Sequence, residues 1–411
     1  MTRGSANSAG YPKPSMAPVE KPYRVYRGGR VKGRVPLERT REPVPGRDGR
    51  DGRGPSKAKI RRPRRRWSWK RRIALGVLVV LLLVVIWSVA GFLSFRSGVS
   101  SANKRLDRMA PKVRATLSPQ NGAILSHPTT ILLLGTDHMN NDQRVYDFHS
   151  DSIMLLRTDP SKHRLAYLSI PRDLRVDIPG QGPAKINSAM QIGGPALAVR
   201  TVENFTGLPV NHVMVIDFHD FRKLIDNIGG ITIDVPEAIL SNPFDCPYTV
   251  QRCKTWKGWR FAKGKQHMNG WRAQIYSRIR ENQLNPADTD ITRGERQQQV
   301  IRAVESKLVG FGTFVKLPFD GSSLVGPLAT DLSAWQFVQL GWVLKRAPGS
   351  KALHCRLGGS SDSSGTSDII PSEENRAVIG EVTGATAPQP PNRALGFFAP
   401  GCYVGGAGPT R

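Results

Sequence analysis

The chain has 411 residues, with 60 Lys and Arg against 32 Asp and Glu, for a net charge of +28. The excess is uneven: residues 1–72 hold 23 basic residues against 5 acidic ones, a net of +18, which leaves +10 for the rest. The four cysteines form no C-x-x-C pair and no H-E-x-x-H helix is present, which argues against a zinc centre.

Residues 1–72 are rich in Pro, Gly and Arg and read as a disordered tail. Its densest block, Arg61-Arg62-Pro63-Arg64-Arg65-Arg66 with Lys70-Arg71-Arg72, abuts an uncharged run from Ile73 to Phe95. At 1.5 Å per residue that run reaches about 35 Å, enough to span a hydrocarbon core of roughly 30 Å. It is too long for a signal-peptide core and 72 residues precede it, so Ser88-Val89-Ala90 does not read as a cleavage site. Positive charge resists translocation, which places the tail in the cytoplasm and the remainder outside. Trp67 and Trp69 suit the membrane interface. The tail's charge would also attract nucleic acid, but it has no helix-turn-helix or finger spacing, and nucleic acid is not the expected partner.

Residues 96–128 read as a polar juxtamembrane linker, partly helical through 103–117, with the folded domain over 129–357. Short β-like runs alternate with helical patterns in that domain, which argues an α/β class. Strands are expected at Thr129–Leu134, Ser152–Arg157 and Arg164–Ile170, the last two joined by the turn Asp159-Pro160-Ser161-Lys162 and hence antiparallel. Ile186–Phe205 has helical spacing despite Gly193-Gly194-Pro195 in its middle. Next come a strand at His212–Ile216, a helix at Phe218–Ile228, a strand at Ile231–Val235, and helices at Thr292–Leu308 and Leu332–Leu344. Residues 358–411 read as a Gly/Ser/Pro-rich tail. An even cysteine count outside the cell favours two disulfides, and the expected pairs are Cys246–Cys253 and Cys355–Cys402.

Asp137 follows the first strand, Asp151 begins the second and Arg172 follows the third. If the first two strands are antiparallel, all three gather at one end of the sheet. Two carboxylates beside an arginine suit a divalent ion next to a phosphate, although three surface residues at loop ends fit the spacing equally well. A second group is Arg278 and Arg280, alternating on an expected strand, with Asp290, Arg293 and Gln297. The last two extend the apolar stripe Val300, Ile301, Val304 and Leu308 toward its helix start. Arginines at a helix N-terminus would make an anion-attracting cavity.

In chain order, ILLLGTD, SDSIMLL, LSIPRD, KINSAM, IDFHDFRKLIDNIGGI and RIR…DTDITRGERQQQ resemble the motifs of the LytR-CpsA-Psr family of cell-envelope proteins. The resemblance covers roughly Thr129 to Leu308. It implies a single extracytoplasmic domain with a central mixed, largely antiparallel sheet flanked by helices. It also implies an enzyme that transfers a glycopolymer (teichoic acid, capsule or arabinogalactan type) from a polyprenyl-pyrophosphate donor onto a peptidoglycan acceptor beside membrane lipid. Carried over residue by residue, Asp137 and Asp151 hold Mg²⁺ (or Mn²⁺), and Arg172, Arg278, Arg280 and Arg293 bind pyrophosphate. Gln297 is the polar helix residue and Asp290 the acidic residue before it, while Lys185 and Asn187 shape the same mouth. This chain departs from the family in having His149 where many members have arginine, and Thr292 in place of a glycine. Histidine would make that contact pH-dependent, and Thr292 is expected as a helix N-cap. An apolar groove for the polyprenyl tail is expected from Ile186–Val202 and Phe218–Ile231. Water in place of the sugar hydroxyl would make the same pocket a hydrolase. The basic tail leaves a non-enzymatic membrane-bound transcriptional regulator open as well.

Overall fold

The computed structural model describes residues 68–136, 149–286, 290–347, 351–362, 367–392 and 399–405. The basic segment 1–67 and Asp137 lie outside them.

The first element is helix α1 (Trp69–Met109), 41 residues or about 62 Å long. Among the described residues it is the one helix long and apolar enough to cross a membrane, which fits an anchor. Through Ile86 its residues are exposed, whereas Gly98, Val99, Ala102 and Leu106 are buried in the domain. Residues 96–109, expected as part of a linker, are therefore helix continuous with the apolar run and belong to the folded body. The physical reason is the stripe Val99, Ala102 and Leu106, spaced at three and four residues on one face.

The next strands are β1 (Thr129–Thr136), β2 (Ser150–Asp159), β3 (Arg164–Ile170), β4 (Arg175–Ile178) and β5 (Gly182–Lys185). Helix α2 (Ser188–Thr206), strand β6 (His212–Asp217), helix α3 (Phe218–Asn227) and strands β7 (Ile231–Val235) and β8 (Ile239–Leu240) follow. Then come α4 (Val250–Cys253), β9 (Arg260–Phe261), β10 (Gly264–Met268), α5 (Gly270–Arg278), α6 (Asp290–Leu308) and α7 (Phe311–Val325). The last are β11 (Ala329–Thr330), α8 (Ala334–Arg346), β12 (Leu353–Arg356), β13 (Gly359–Ser361), β14 (Ile369–Pro371), α9 (Asn375–Thr383) and β15 (Gly401–Val404).

Seven strands make the central sheet in the order β11-β6-β1-β2-β3-β12-β15. Its β1–β2, β2–β3, β11–β6 and β12–β15 pairs are antiparallel, and β1–β6 and β3–β12 are parallel, so the sheet is mixed and largely antiparallel as expected. The turn between β2 and β3 is closed by the Asp159 carboxylate, which accepts from the Lys162 backbone N–H at 3.4 Å. Alternation along β1 and β2 splits their side chains between two layers. Leu132, Leu134, Ile153 and Leu155 pack with Ala198, Val199 and Val202 of α2 on one face. Ile131, Met154 and Leu156 pack with Leu340 and Val343 of α8 on the other. Helix α2 is kinked at Gly193-Gly194-Pro195, with Gly194 at φ +62°.

Two expectations are corrected here. The tail expected over 358–411 is instead largely folded: β13, β14, α9 and β15 lie within it and β15 completes the central sheet. Glycine and serine composition concealed that β15 has β12 as a ready partner. Arg278 and Arg280 do not alternate on a strand: Arg278 ends α5, and Ile279 is buried between them with extended dihedrals. Both expected disulfides are formed, Cys246–Cys253 beside α4 and Cys355–Cys402 across the β12–β15 pair.

Candidate functional site

The β2–β3 register pairs Ile153 with Ile170, so two residues further out Asp151 faces Arg172. The Asp151 carboxylate accepts from the Arg172 guanidinium, which also donates from Nε to Asp173 at 3.4 Å. Asp173 in turn accepts from Lys185 Nζ at 3.1 Å, and Asp368 lies 3.6 Å from the same ammonium. Alternating charges thus fix Arg172 and Lys185 along one lip. On β1, Thr136 pairs with Ser150 after a bulge, and the chain continues from there to Asp137.

The opposite lip comes from α5 and α6. Arg278 is ion-paired with Asp245, and its guanidinium lies 4.9 Å from the Phe218 ring centroid and 5.5 Å from that of Phe244. A planar cation between a carboxylate and two rings loses little further freedom when it binds an anion. At the start of α6, Gln297 accepts from the Ser152 hydroxyl at 3.0 Å, which ties the helix to β2. Gly294 makes the approach to β3 possible, since a Cβ there would stand 2.9 Å from Ser169 Oγ. Asp290 begins α6, so Thr292 falls inside its first turn and is not the N-cap. The Asp290 side chain lies outside the described part of the structure.

Between the lips opens a cavity of about 1250 Å³. Its polar end is lined by His149, Asp151, Arg172, Lys185, Asn187, Arg278, Arg280, Arg293 and Gln297. The fold therefore brings together the expected site residues whose side chains it describes, leaving out Asp137 and Asp290. Asn187 is buried, and its side-chain oxygen has no hydrogen-bond partner among the described residues.

Away from the lips the wall becomes apolar. Leu133, Leu156 and Met214 form it on the sheet, Val300, Ile301, Val304 and Leu308 on α6, Phe337, Leu340 and Leu344 on α8, and Phe92 and Phe95 on α1. The stripe of α6 thus lines the chamber that its polar start opens. The expected groove along Ile186–Val202 is corrected: of that segment only Asn187 and Ser188 reach the cavity, because α2 packs on the other sheet face. From Phe218–Ile231, Phe218, Phe221 and Leu224 contribute.

One titratable group sits on this wall. The Tyr167 hydroxyl donates to Glu305 at 2.6 Å, and burial raises the Glu305 carboxyl to about 7, against the lowering effects of Tyr167 and the Arg302 charge. Behind it the Tyr167 ring stacks on His354 at 5.1 Å. Burial, reinforced by Arg302, lowers that histidine to about 4. His354 Nδ1 lies 2.6 Å from Gln298 Oε1, so Gln298 is structural where its neighbour Gln297 faces the cavity.

The model of the LytR_cpsA_psr family matches residues 92–374. The chain belongs to this family. It is similar to the polyisoprenyl-teichoic acid–peptidoglycan teichoic acid transferase TagV of Bacillus subtilis, 30% identical over 60% of this chain and 60% of the relative. It is likewise similar to TagU of Bacillus anthracis, 30% identical over 59% of this chain and 74% of the relative. TagU of Enterococcus faecalis is 29% identical over 64% and 78%. The match thus spans less than two thirds of TagV's own length. Crystallised TagT of B. subtilis superimposes with a TM-score of 0.50 at 22% identity, covering 67% of this chain and 97% of that one, a likeness of fold.

Sequence reading missed Asp173, Asp245, Phe218 and Phe244 as supports of the arginines, and Phe92 and Phe95 of α1 as cavity wall. Asp173 follows Arg172 directly, which was a usable signal. Asp245 stands 33 residues from its partner, and no spacing rule links them.

Proposed function

We propose that the protein is a membrane-anchored phosphotransferase with its N-terminus in the cytoplasm and its domain on the outer side. It moves a glycopolymer from a polyprenyl-pyrophosphate carrier onto peptidoglycan and releases polyprenyl phosphate. One observation carries the reading: a mouth with five cationic side chains runs into an apolar chamber within a single cavity of about 1250 Å³. That exceeds the roughly 300–1,000 Å³ of ordinary small-molecule sites and suits a ligand with an anionic head and a long hydrocarbon tail. The relatives named as teichoic acid transferases support the reaction class.

The acceptor hydroxyl attacks the phosphorus that bears the donor sugar. A new P–O bond forms, the bond from that phosphorus to the bridging oxygen breaks, and the electron pair leaves on polyprenyl phosphate. Arg172, Arg278, Arg280 and Arg293 take up the charge developing there. The carboxylates and rings that fix Arg172 and Arg278 mean little reorganisation is needed. The hydroxyl proton passes to a carboxylate, Asp290 or Asp151. Phosphoryl transfer of this kind is chiefly positioning and electrostatics, so it needs no side-chain nucleophile.

Hard oxygen donors are at hand for Mg²⁺ or Mn²⁺: the Asp151 carboxylate lines the cavity, as does Asn187 with its unpartnered oxygen, and Asp137 would complete the set. When bound, such an ion supplies Lewis-acid stabilisation of pyrophosphate charge. Turnover of a polyprenyl-pyrophosphate saccharide by the detergent-purified chain tests the reading. Arg172→Ala and Arg278→Ala should each be strongly impaired, and wild-type activity in both would sink it.

A further inference from the structure

The length of the apolar run and the place where the domain meets it do not fit a domain standing clear of the bilayer. Charge bars the hydrocarbon core from beginning before Ile73, since Lys70, Arg71 and Arg72 precede it. The part of α1 free of the domain ends at Ile86, because Trp87 already packs its ring on Phe319 of α7, 5.4 Å between centroids. Ile73 to Ile86 is 14 residues, or about 21 Å of helix against a core of roughly 30 Å. The missing third must come from Trp87 onward, where α1 is in contact with α7.

That contact is close. A Cβ on Gly91 would stand 3.0 Å from Leu317 Cβ, and one on Gly98 would stand 2.4 Å from the Ser322 carbonyl oxygen. Small residues that let helix backbones approach are the usual means of helix packing in lipid. The order of contacts, Gly91 with Leu317 and Gly98 with Ser322, places the N-terminal half of α7 toward the membrane. Val315 in that half is 43% exposed, and Phe319, just past the helix midpoint, is 73% exposed. Large apolar side chains at such exposure are costly in water and favourable in hydrocarbon. Lys316, beside them, can extend its charge to the headgroups.

We propose that α7 from its N-terminus through Phe319 is embedded beside α1 in the leaflet on the domain's side, with Val315 and Phe319 in contact with lipid tails. Leu317 of α7 and Phe92 and Phe95 of α1 line the apolar end of the cavity. The chamber therefore ends against elements standing in the bilayer. On the reading of the donor as lipid-linked, on which this consequence alone rests, its tail passes sideways from the leaflet into the cavity without crossing water.

The four cysteines are all in disulfides, so a single added cysteine on the full chain can be labelled selectively. An environment-sensitive fluorophore is attached in F319C, V315C and, as control, I192C on α2, each reconstituted one copy per nanodisc with and without nitroxide-labelled phosphatidylcholine. Ile192 is an exposed position on the helix covering the opposite sheet face. Labels at 319 and 315 should emit at shorter wavelength than the label at 192 and lose intensity to the nitroxide lipid. Labels at 319 and 315 as wet and unquenched as that at 192 would overturn the proposal. So would a blue shift that appears only with several copies per disc, which would make this face an interface between copies. Neither readout needs a donor, so the transferase reading can fail while this one stands.

Discussion

Replacing Glu305 by glutamine removes a carboxyl whose ionisation burial opposes. Glu305 is half-buried and lines the cavity on one side. Burial raises that carboxyl from an ordinary 4.5 to about 7, and the Tyr167 hydroxyl and Arg302 oppose the rise only in part. Because the folded value lies above the unfolded one, the stabilisation is complete below pH 4.5 and is lost as pH rises through 7. A gap of about 2.5 units at 1.36 kcal/mol each sets a ceiling of about 3 kcal/mol, and water at the cavity side reduces this to about 2. Glutamine keeps an oxygen for the Tyr167 hydroxyl and cannot ionise. His354 acts in the opposite sense: its value is lowered from 6.5 to about 4, so its stabilisation is present above pH 6.5 and lost as pH falls through 4. The wild-type curve below pH 6.5 mixes the two, whereas the difference between wild type and E305Q isolates Glu305. The assay is thermal unfolding followed by tryptophan fluorescence in detergent from pH 4 to 9. At pH 8 E305Q should melt higher by roughly 4–8 °C, taking 2–4 °C per kcal/mol for a domain this large. Near pH 4.5 that gain should vanish. Equal melting temperatures at pH 8, or a gap independent of pH, would refute the reasoning.

Further expectations concern the lips, the chamber and the disulfides. Arg278→Ala should lower kcat by about 10²–10³, with Arg278→Lys intermediate because it keeps the charge and loses the planar fork, as steady-state kinetics would show. Val304→Trp, which fills the α6 wall, should raise KM for long-chain polyprenyl donors more than for short-chain analogues; equal effects would contradict the chamber's role. Loss of Cys355–Cys402, which links positions 47 residues apart, should cost about 4 kcal/mol in chain entropy, against about 2 for Cys246–Cys253 across 7. Denaturant unfolding of the serine double variants ranks them. Chelation of divalent cations should abolish transfer and Mg²⁺ restore it, while Asp151→Ala should stay inactive whatever Mg²⁺ is added.

Much of this arrangement was legible in the residues. Strong periodicity fixed β3 and α6, and the turn at Asp159 fixed the hairpin that sets Asp151 against Arg172. The polar start of the α6 stripe pointed to a pocket because arginine and glutamine on a core-facing stripe need somewhere polar to go. Other features depended on neighbours remote in sequence. The stripe in 96–109 is short and mixed with charges, and it is helix because α7 and the core receive it. Residues 401–404 form a strand because β12 offers an open edge and a disulfide partner. The expected groove fell on α2 because a helix with apolar residues on most faces reads alike whether it walls a cavity or fills a core. Only the sheet's two faces distinguish them.

The account's central claim is tested most directly by identifying the products. The purified chain is given a polyprenyl-pyrophosphate glycan labelled in its sugar, with and without peptidoglycan. Transfer predicts label joined to peptidoglycan through a phosphodiester, with one polyprenyl phosphate released per glycan attached, and both lost in Arg172→Ala. Free sugar phosphate formed at the same rate whether or not peptidoglycan is present would contradict transfer and make the protein a hydrolase.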